Sequence, residues 1–177
     1  MIMHGSNSHI ALRPCGAPDF EAILAIINDG AQAYRGQIPQ DCWHDPYMTA
    51  AELKDQQAAG VEFSGVERNG KLIGVMGRQN VQDVMLIRHA YVVTGAQRTG
   101  IGTDLLQHLC TQTERPILIG TWAAAVWAIR FYQKHGFKLV VGAPKDALLE
   151  KYWTVPERQR VTSVVLADAR WYSTSRG

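Results

Sequence analysis

The chain is short of charge, of cysteine and of long apolar runs. Only 19% of its 177 residues are Asp, Glu, Lys or Arg, and its 18 basic and 16 acidic side chains leave a formal net charge of +2. Without a basic block, nucleic acid is not the expected partner. No apolar stretch approaches the ~20 residues that cross a bilayer, so no membrane partner is expected. Met1 to His9 lacks the charged start and apolar core of a secretory signal. Cys15, Cys42 and Cys110 are odd in number and widely spaced, which fits reduced thiols in a cytoplasm better than a disulfide frame. No Cys/His grouping has zinc spacing, and no metal is expected. No Gly-Lys-Ser/Thr is present, and no third glycine follows Gly102 at the dinucleotide position, so neither a P-loop nor a dinucleotide fold is favoured.

The informative stretch runs from Leu86 to Phe137. Residues 86–93 and 116–122 are short apolar runs rich in branched side chains and bounded by turn formers, as buried strands are. Between them Ile101, Leu105 and Leu109 recur at helical spacing and mark a helix with one core face. Gly100 and Gly102 fall where the first strand gives way to that helix. Arg98, Thr99, Gly100, Ile101 and Gly102 then offer amide N–H groups at a helix start, where the dipole is positive, and such a turn suits a pyrophosphate. A plain turn that packs a helix closely on a strand explains the same glycines equally well.

Around this core, 9–13 alternates as a first strand and Pro18-Asp19 opens a helix whose face continues through Phe20, Ile23, Ile27 and Tyr34. Residues 35–47 are polar, aromatic and broken by Gly36, Pro39 and Pro46, which reads as an irregular connection. Thr49 and Glu52 form a capping box for a helix that Gly60 ends. Strands at 61–67 and 72–79 flank Asn69-Gly70, a hairpin signal. A strand at 137–141, a helix at 144–153 and an apolar strand at 161–166 follow, and 171–177 reads as a frayed end. The expectation is one domain over 8–167 between tails at 1–7 and 168–177.

Gln97-x-x-Gly100-x-Gly102 after a hydrophobic strand, followed by Ala128-Ile-x-Phe-Tyr132-x-x-x-Gly136-Phe137, resembles the GNAT superfamily of N-acetyltransferases. The first segment is similar to that family's acetyl-CoA loop and the second to its helix bearing a catalytic tyrosine. The resemblance covers 8–167 in element order and is sharp over 86–137. One departure is Ala125, where the family often has Asn, and the polar contact made there is not expected here. The resemblance implies a single α/β (α+β) domain with a mixed, mostly antiparallel central sheet, splayed central strands and flanking helices. It implies acetyl-CoA as cosubstrate, held by Tyr91, Val92, Gln97, Arg98, Thr99, Gly100, Ile101, Gly102 and Thr103. It also implies a primary amine of a small molecule or peptide as acceptor, attacking the thioester directly. A non-catalytic acyl-CoA-binding module is the alternative.

Tyr132 is the expected proton donor to the leaving thiolate, although as part of a face with Ala128 and Phe131 it also reads as core. On strict strand alternation Arg88 shares a face with Val92, while His89 and Tyr91 take the other unless a bulge intervenes. His89 then reads as an interior histidine, and Arg88 as either an ordinary ion-pair partner or a reader of an acidic substrate group. Tyr34, His44 and Asp45 in the first connection are acceptor-site candidates, with Trp43 and Tyr47 as further aromatics there. Trp122 is a candidate cleft wall, and Trp127 reads mostly as packing. The strand at 161–166 is a candidate edge for a homodimer.

Overall fold

A computed structural model describes residues 10–174. The expected tail at 1–7 and the last three residues lie outside that range. Seven strands form one sheet: β1 (Ile10–Pro14), β2 (Glu62–Arg68), β3 (Lys71–Val81), β4 (Val84–Val92), β5 (Ile117–Trp122), β6 (Lys138–Val140) and β7 (Ser163–Ala167). The order is β1-β2-β3-β4-β5-β7-β6, antiparallel except where β4 runs parallel to β5. Seven helices accompany it among the described residues: α1 (Phe20–Gly30), α2 (Ala50–Ala58), α3 (Ile101–Cys110), α4 (Val126–Lys134), α5 (Ala143–Tyr152), α6 (Glu157–Val161) and α7 (Ala169–Thr174).

Local chemistry sets these bounds. Thr49 Oγ1 accepts from the Glu52 amide at 3.2 Å and the Glu52 carboxylate accepts from the Thr49 amide at 2.7 Å, so α2 begins at a complete capping box. Asn69 and Gly70 both take positive φ, 52° and 79°, as a tight two-residue hairpin turn demands. The α3 stripe of Ile101, Leu105, Leu106 and Leu109 is buried against Met85, Ile87, Ile117 and Ile119 of the sheet, and burial of each such side chain contributes roughly 1.5–3 kcal/mol. The opposite sheet face is covered by α1 and α2 over β2–β4 and by α5 over β5–β7.

Three expectations change. Residues 171–174 are not a frayed end but belong to α7: Asp168 Oδ1 accepts from the amides of Ile117 and Trp171, and this tether starts the helix. Val161 belongs to α6, because the strand starts only at Ser163. That strand is also not an edge. β7 pairs with β5 on one side and β6 on the other, so it offers no free backbone to a second copy.

β4 and β5 are in register over only three pairs, Met85–Ile117, Leu86–Leu118 and Ile87–Ile119. Beyond Ile87 the two strands part, and the sheet opens a wedge between residues 88–92 and 120–122.

Candidate active site

The wedge contains a cavity of about 790 Å³ that runs from the start of α3 to the space between α1 and α5. At one end lies the turn between β4 and α3. Arg98 and Gly100 there have φ of 62° and 90°, and Gly100 N-caps the helix with no side-chain cap. The first backbone bond of α3 is Asp104 N–H to the Gly100 carbonyl. Among the described residues, none of the amides from Gln97 to Thr103 donates to another protein group. Seven consecutive amides around this helix start are thus left without a protein acceptor, and all but that of Thr99 belong to residues lining the cavity, an arrangement suited to a pyrophosphate. The Thr99 hydroxyl donates to the Ala96 carbonyl at 2.6 Å and holds the turn in shape. The Gln97 side-chain amide donates to the Val92 carbonyl at 3.3 Å, closing the loop back onto β4.

The two glycines do different work. At Gly100 the positive φ excludes other residues without strain. At Gly102 a Cβ would sit 3.4 Å from the Phe131 ring, so its smallness lets α4 pack close to α3. A third glycine fixes the loop's depth: a Cβ on Gly74 of β3 would lie 2.7 Å from Ile101 Cγ2.

A bulge in β4 sets what the middle of the cavity contains. Val75 of β3 pairs with Tyr91 and Gly77 with Arg88, so two steps on β3 span three on β4, and His89 takes φ of 51°. Strict alternation fails there. Ala90 and Val92 share the face of Met85 and Ile87, whereas Tyr91 shares the opposite face with Arg88. The Val93 amide bonds Ile73 of β3, so the Val92 amide, one residue earlier, points into the wedge. Tyr91, expected beside the cofactor loop, instead packs its ring on α1, where a Cβ on Gly30 would be 2.8 Å away.

Tyr132 of α4 lines the wedge and is 6% exposed. Its phenol has no hydrogen-bonding partner among the described residues, and no deeply buried polar side-chain atom there lacks one, so its oxygen is reached from the cavity. Burial pushes this phenol well above its ordinary value of 10, with Tyr34 adding to the shift. It therefore carries its proton at neutral pH.

The far end is aromatic. Tyr34 packs against Tyr47, Tyr91 and Trp127 at ring separations of 5.6, 6.3 and 5.8 Å. Trp122 Nε1 donates to the Tyr47 hydroxyl at 3.0 Å. Burial pushes Tyr47 up to about 12 and Tyr34 and Tyr91 upward too, so all three phenols are neutral. Trp127, expected to be packing, is 45% exposed and stacks on Tyr34 at the cavity mouth. Trp153 forms another wall over Gly120, where a Cβ would meet its indole at 3.1 Å. Leu149, Val155, Gln159 and Ser163 extend that wall. None of these last five was among the sequence candidates; a glycine inside the apolar strand β5 was the available signal that something packs close there.

Tyr34, Arg88 and Trp122 thus meet at the cavity, but His44 and Asp45 do not. Both are exposed and outside its lining, because the His44 ring turns back to donate from Nδ1 to the Pro46 carbonyl at 3.0 Å and stacks on the outer side of Tyr47. His89 lines the cavity as a stacked interior ring over Phe63. Burial, reinforced by the charge of Arg88, pulls it down to about 3, so it stays neutral and is too weak a base for an ammonium.

The description "Acetyltransferase (GNAT) domain" belongs to the family model that matches residues 59–139. A GNAT-family acetyltransferase from Staphylococcus aureus Mu50 superposes with a TM-score of 0.68 at 16% identity, over 90% of this chain and 98% of that one. The PaiA N-acetyltransferase of Thermoplasma acidophilum, solved with coenzyme A, gives 0.66 at 15% identity over 90% and 98%. A GNAT acetyltransferase of Elizabethkingia anophelis with acetyl-CoA bound gives 0.58 at 21% identity over 90% and 97%. In sequence, the chain is 30% identical over 124 residues to the UPF0157 protein YqkA of Bacillus subtilis (strain 168). That match takes in 68% of this chain, which spans 36% of the length of that relative.

Proposed function

We propose that this chain, an acetyltransferase of the GNAT family, transfers the acetyl group of acetyl-CoA to a primary amine held among Tyr34, Tyr47, Trp122 and Trp127. The single observation that carries this is the row of unpaired amides from Gln97 to Thr103 at the mouth of the β4–β5 wedge. Acetyl-CoA fits what is there: a diphosphate for the amides, and an extended arm for the strand edge left open beyond Ile87.

The chain's own groups then have distinct roles. The loop amides fix the cosubstrate's position, which converts an encounter into a near-intramolecular attack. The Val92 amide points to where negative charge develops on the thioester oxygen and stabilises it. Tyr132, protonated and buried, holds its hydrogen for the departing thiolate. Its raised pKa would make donation uphill in water, but a thiolate in the same dry wedge is destabilised by the same burial. Among the described residues the one histidine lining the cavity, His89, is too weakly basic to take the amine's proton, so the amine enters without its proton or loses it to water.

The test is release of free thiol from acetyl-CoA on addition of amines. Wild type should release it in step with acceptor, whereas Tyr132→Phe should keep its affinity for acetyl-CoA and lose most turnover. Tight acetyl-CoA binding with no thiol release across a broad amine panel would instead identify a non-catalytic acyl-CoA-binding module.

A further inference from the structure

Arg88 is the one charged side chain on the acceptor side of the cavity among the described residues, and it has no counter-charge. Nη1 donates to Gln79 Oε1 at 2.7 Å and Nη2 to Gln56 Oε1 at 2.8 Å. Both partners are neutral amides. Among the described residues no Asp or Glu lines the cavity, and burial, with no offsetting carboxylate there, disfavours the guanidinium's charge. Several other arginines in the described chain pair with acids: Arg13 with Asp19 and Glu67, Arg78 with Glu62, Arg158 with Asp41. A half-buried cation with only neutral partners carries a desolvation cost that no opposite charge offsets. The two glutamines fix the plane of the guanidinium and leave three of its five N–H donors unspent.

Resting on the acetyltransferase reading above, we propose that the acceptor is an amine that also carries an oxyanion, a carboxylate or a phosphate monoester, and that Arg88 binds this group. The β4 bulge is what makes this possible. It leaves Arg88 and Tyr91 on one face, the face on which Tyr91 packs against Tyr34, and Arg88 lines the same cavity as Tyr34, Tyr47 and Trp122. Position along the strand agrees. Arg88 is the first residue past the last β4–β5 pair, at the apex of the wedge, and Val92 lies four residues further on. Arg88 therefore borders the same wedge as the Val92 amide. The same charge pattern argues against polyamines and other acceptors with several cations. Arg88 repels a second cation, and Asp45, the nearest acid in sequence to the aromatic cluster, lies outside the cavity.

The experiment uses the full chain and a panel of matched acceptors: α- and ω-amino acids each against its carboxamide, and aminoalkyl phosphates each against its amino alcohol. Thiol release gives kcat/KM for each, and calorimetry gives the acetyl-CoA affinity separately. Wild type should favour the charged member of at least one pair by tenfold or more. Arg88→Gln should bring that ratio close to one with acetyl-CoA affinity unchanged, and Arg88→Lys, which keeps the charge without the fork, should give an intermediate ratio. Thermal melts of both variants show whether they remain folded; if Arg88→Gln does not, Arg88→Lys and the wild-type ratios decide. Which oxyanion is read follows from which arm shows the preference. Equal use of charged and neutral members, or a preference that survives Arg88→Gln, overturns the proposal. So does an enzyme that consumes only neutral or polycationic amines, and the transferase reading would then stand. Failure of acetyl-CoA itself to bind would remove that reading, and this one with it.

Discussion

The two ends of the cavity are built in opposite ways. The loop end comes from one continuous stretch: the end of β4, an eight-residue connection and the first turn of α3, with α4 packed beside it. It works through backbone, and its side chains matter mainly for what they leave out, as Gly100 and Gly102 do. The acceptor end comes from five separated pieces, contributing Tyr34, Tyr47, Arg88, Trp122 and Trp153. It works through side chains, whose meeting depends on the whole sheet being in register. A local, backbone-built site tolerates a changing sequence around it, whereas the assembled one can differ entirely between two proteins of the same fold.

The sharpest way to break the comparison is at Gly100. Gly100→Asp forces a carboxylate and a Cβ onto a φ of 90° in a row of amides without protein acceptors; acetyl-CoA affinity should fall by about a hundredfold or more in calorimetry, at roughly 1–3 kcal/mol of backbone strain plus the charge repulsion. An unchanged affinity would mean that the amides do not hold the diphosphate. Next in size, Tyr132→Phe should lower kcat by about 10²–10⁴, the usual range for a lost general acid, with little change in acetyl-CoA affinity. At the other end, Trp127→Ala should raise the acceptor KM by about tenfold, or ~1.4 kcal/mol, and leave the acetyl-CoA KM alone; if both KM values rose together, the two ends would not be separable.

The smaller effects concern stability and leave both ends intact. Thr49→Ala removes a capping box remote from the cavity and should cost about 1 kcal/mol, seen as a melting temperature lower by roughly 2–4 °C. Asp19 is held down to about 2 by hydrogen bonds from the Arg13 side chain and then from the Gly16 amide, against an ordinary value of 3.8. The folded form therefore binds fewer protons than the unfolded one between those values, and stability should fall as pH drops from about 4 to about 2. In Asp19→Asn that part of the acid-induced loss should be missing from melts recorded over the same range.

The same division explains what was legible in the sequence. Strands, helices and the 97–103 loop follow from short-range rules: the Ile101–Leu105–Leu109 stripe, the Thr49–Glu52 box, the Asn69–Gly70 turn. Arg88's surroundings do not. Which later β4 residues share its face depends on one additional residue in β4 relative to β3, and nothing in Arg-His-Ala-Tyr announces a bulge. Val161 was lost from its strand because an apolar residue at a helix end looks the same as one at a strand start. Trp153 reaches the cavity only because Gly120, some thirty residues earlier, leaves space for it. Asp45 shows the reverse error. An acid in a loop that also supplies Tyr47 to the cavity is itself exposed and outside the lining.

The three-pair seam between β4 and β5 also has a mechanical meaning. On one side stand β1–β4 with α1 and α2; on the other, β5–β7 with α5 and α7. Along the sheet these halves are stitched together at one end only, like two boards sharing a short hinge. A guest that fills the gap and bonds both margins adds the missing stitches, so slow amide exchange should spread outward from Ile87 and Ile119 when the gap is filled.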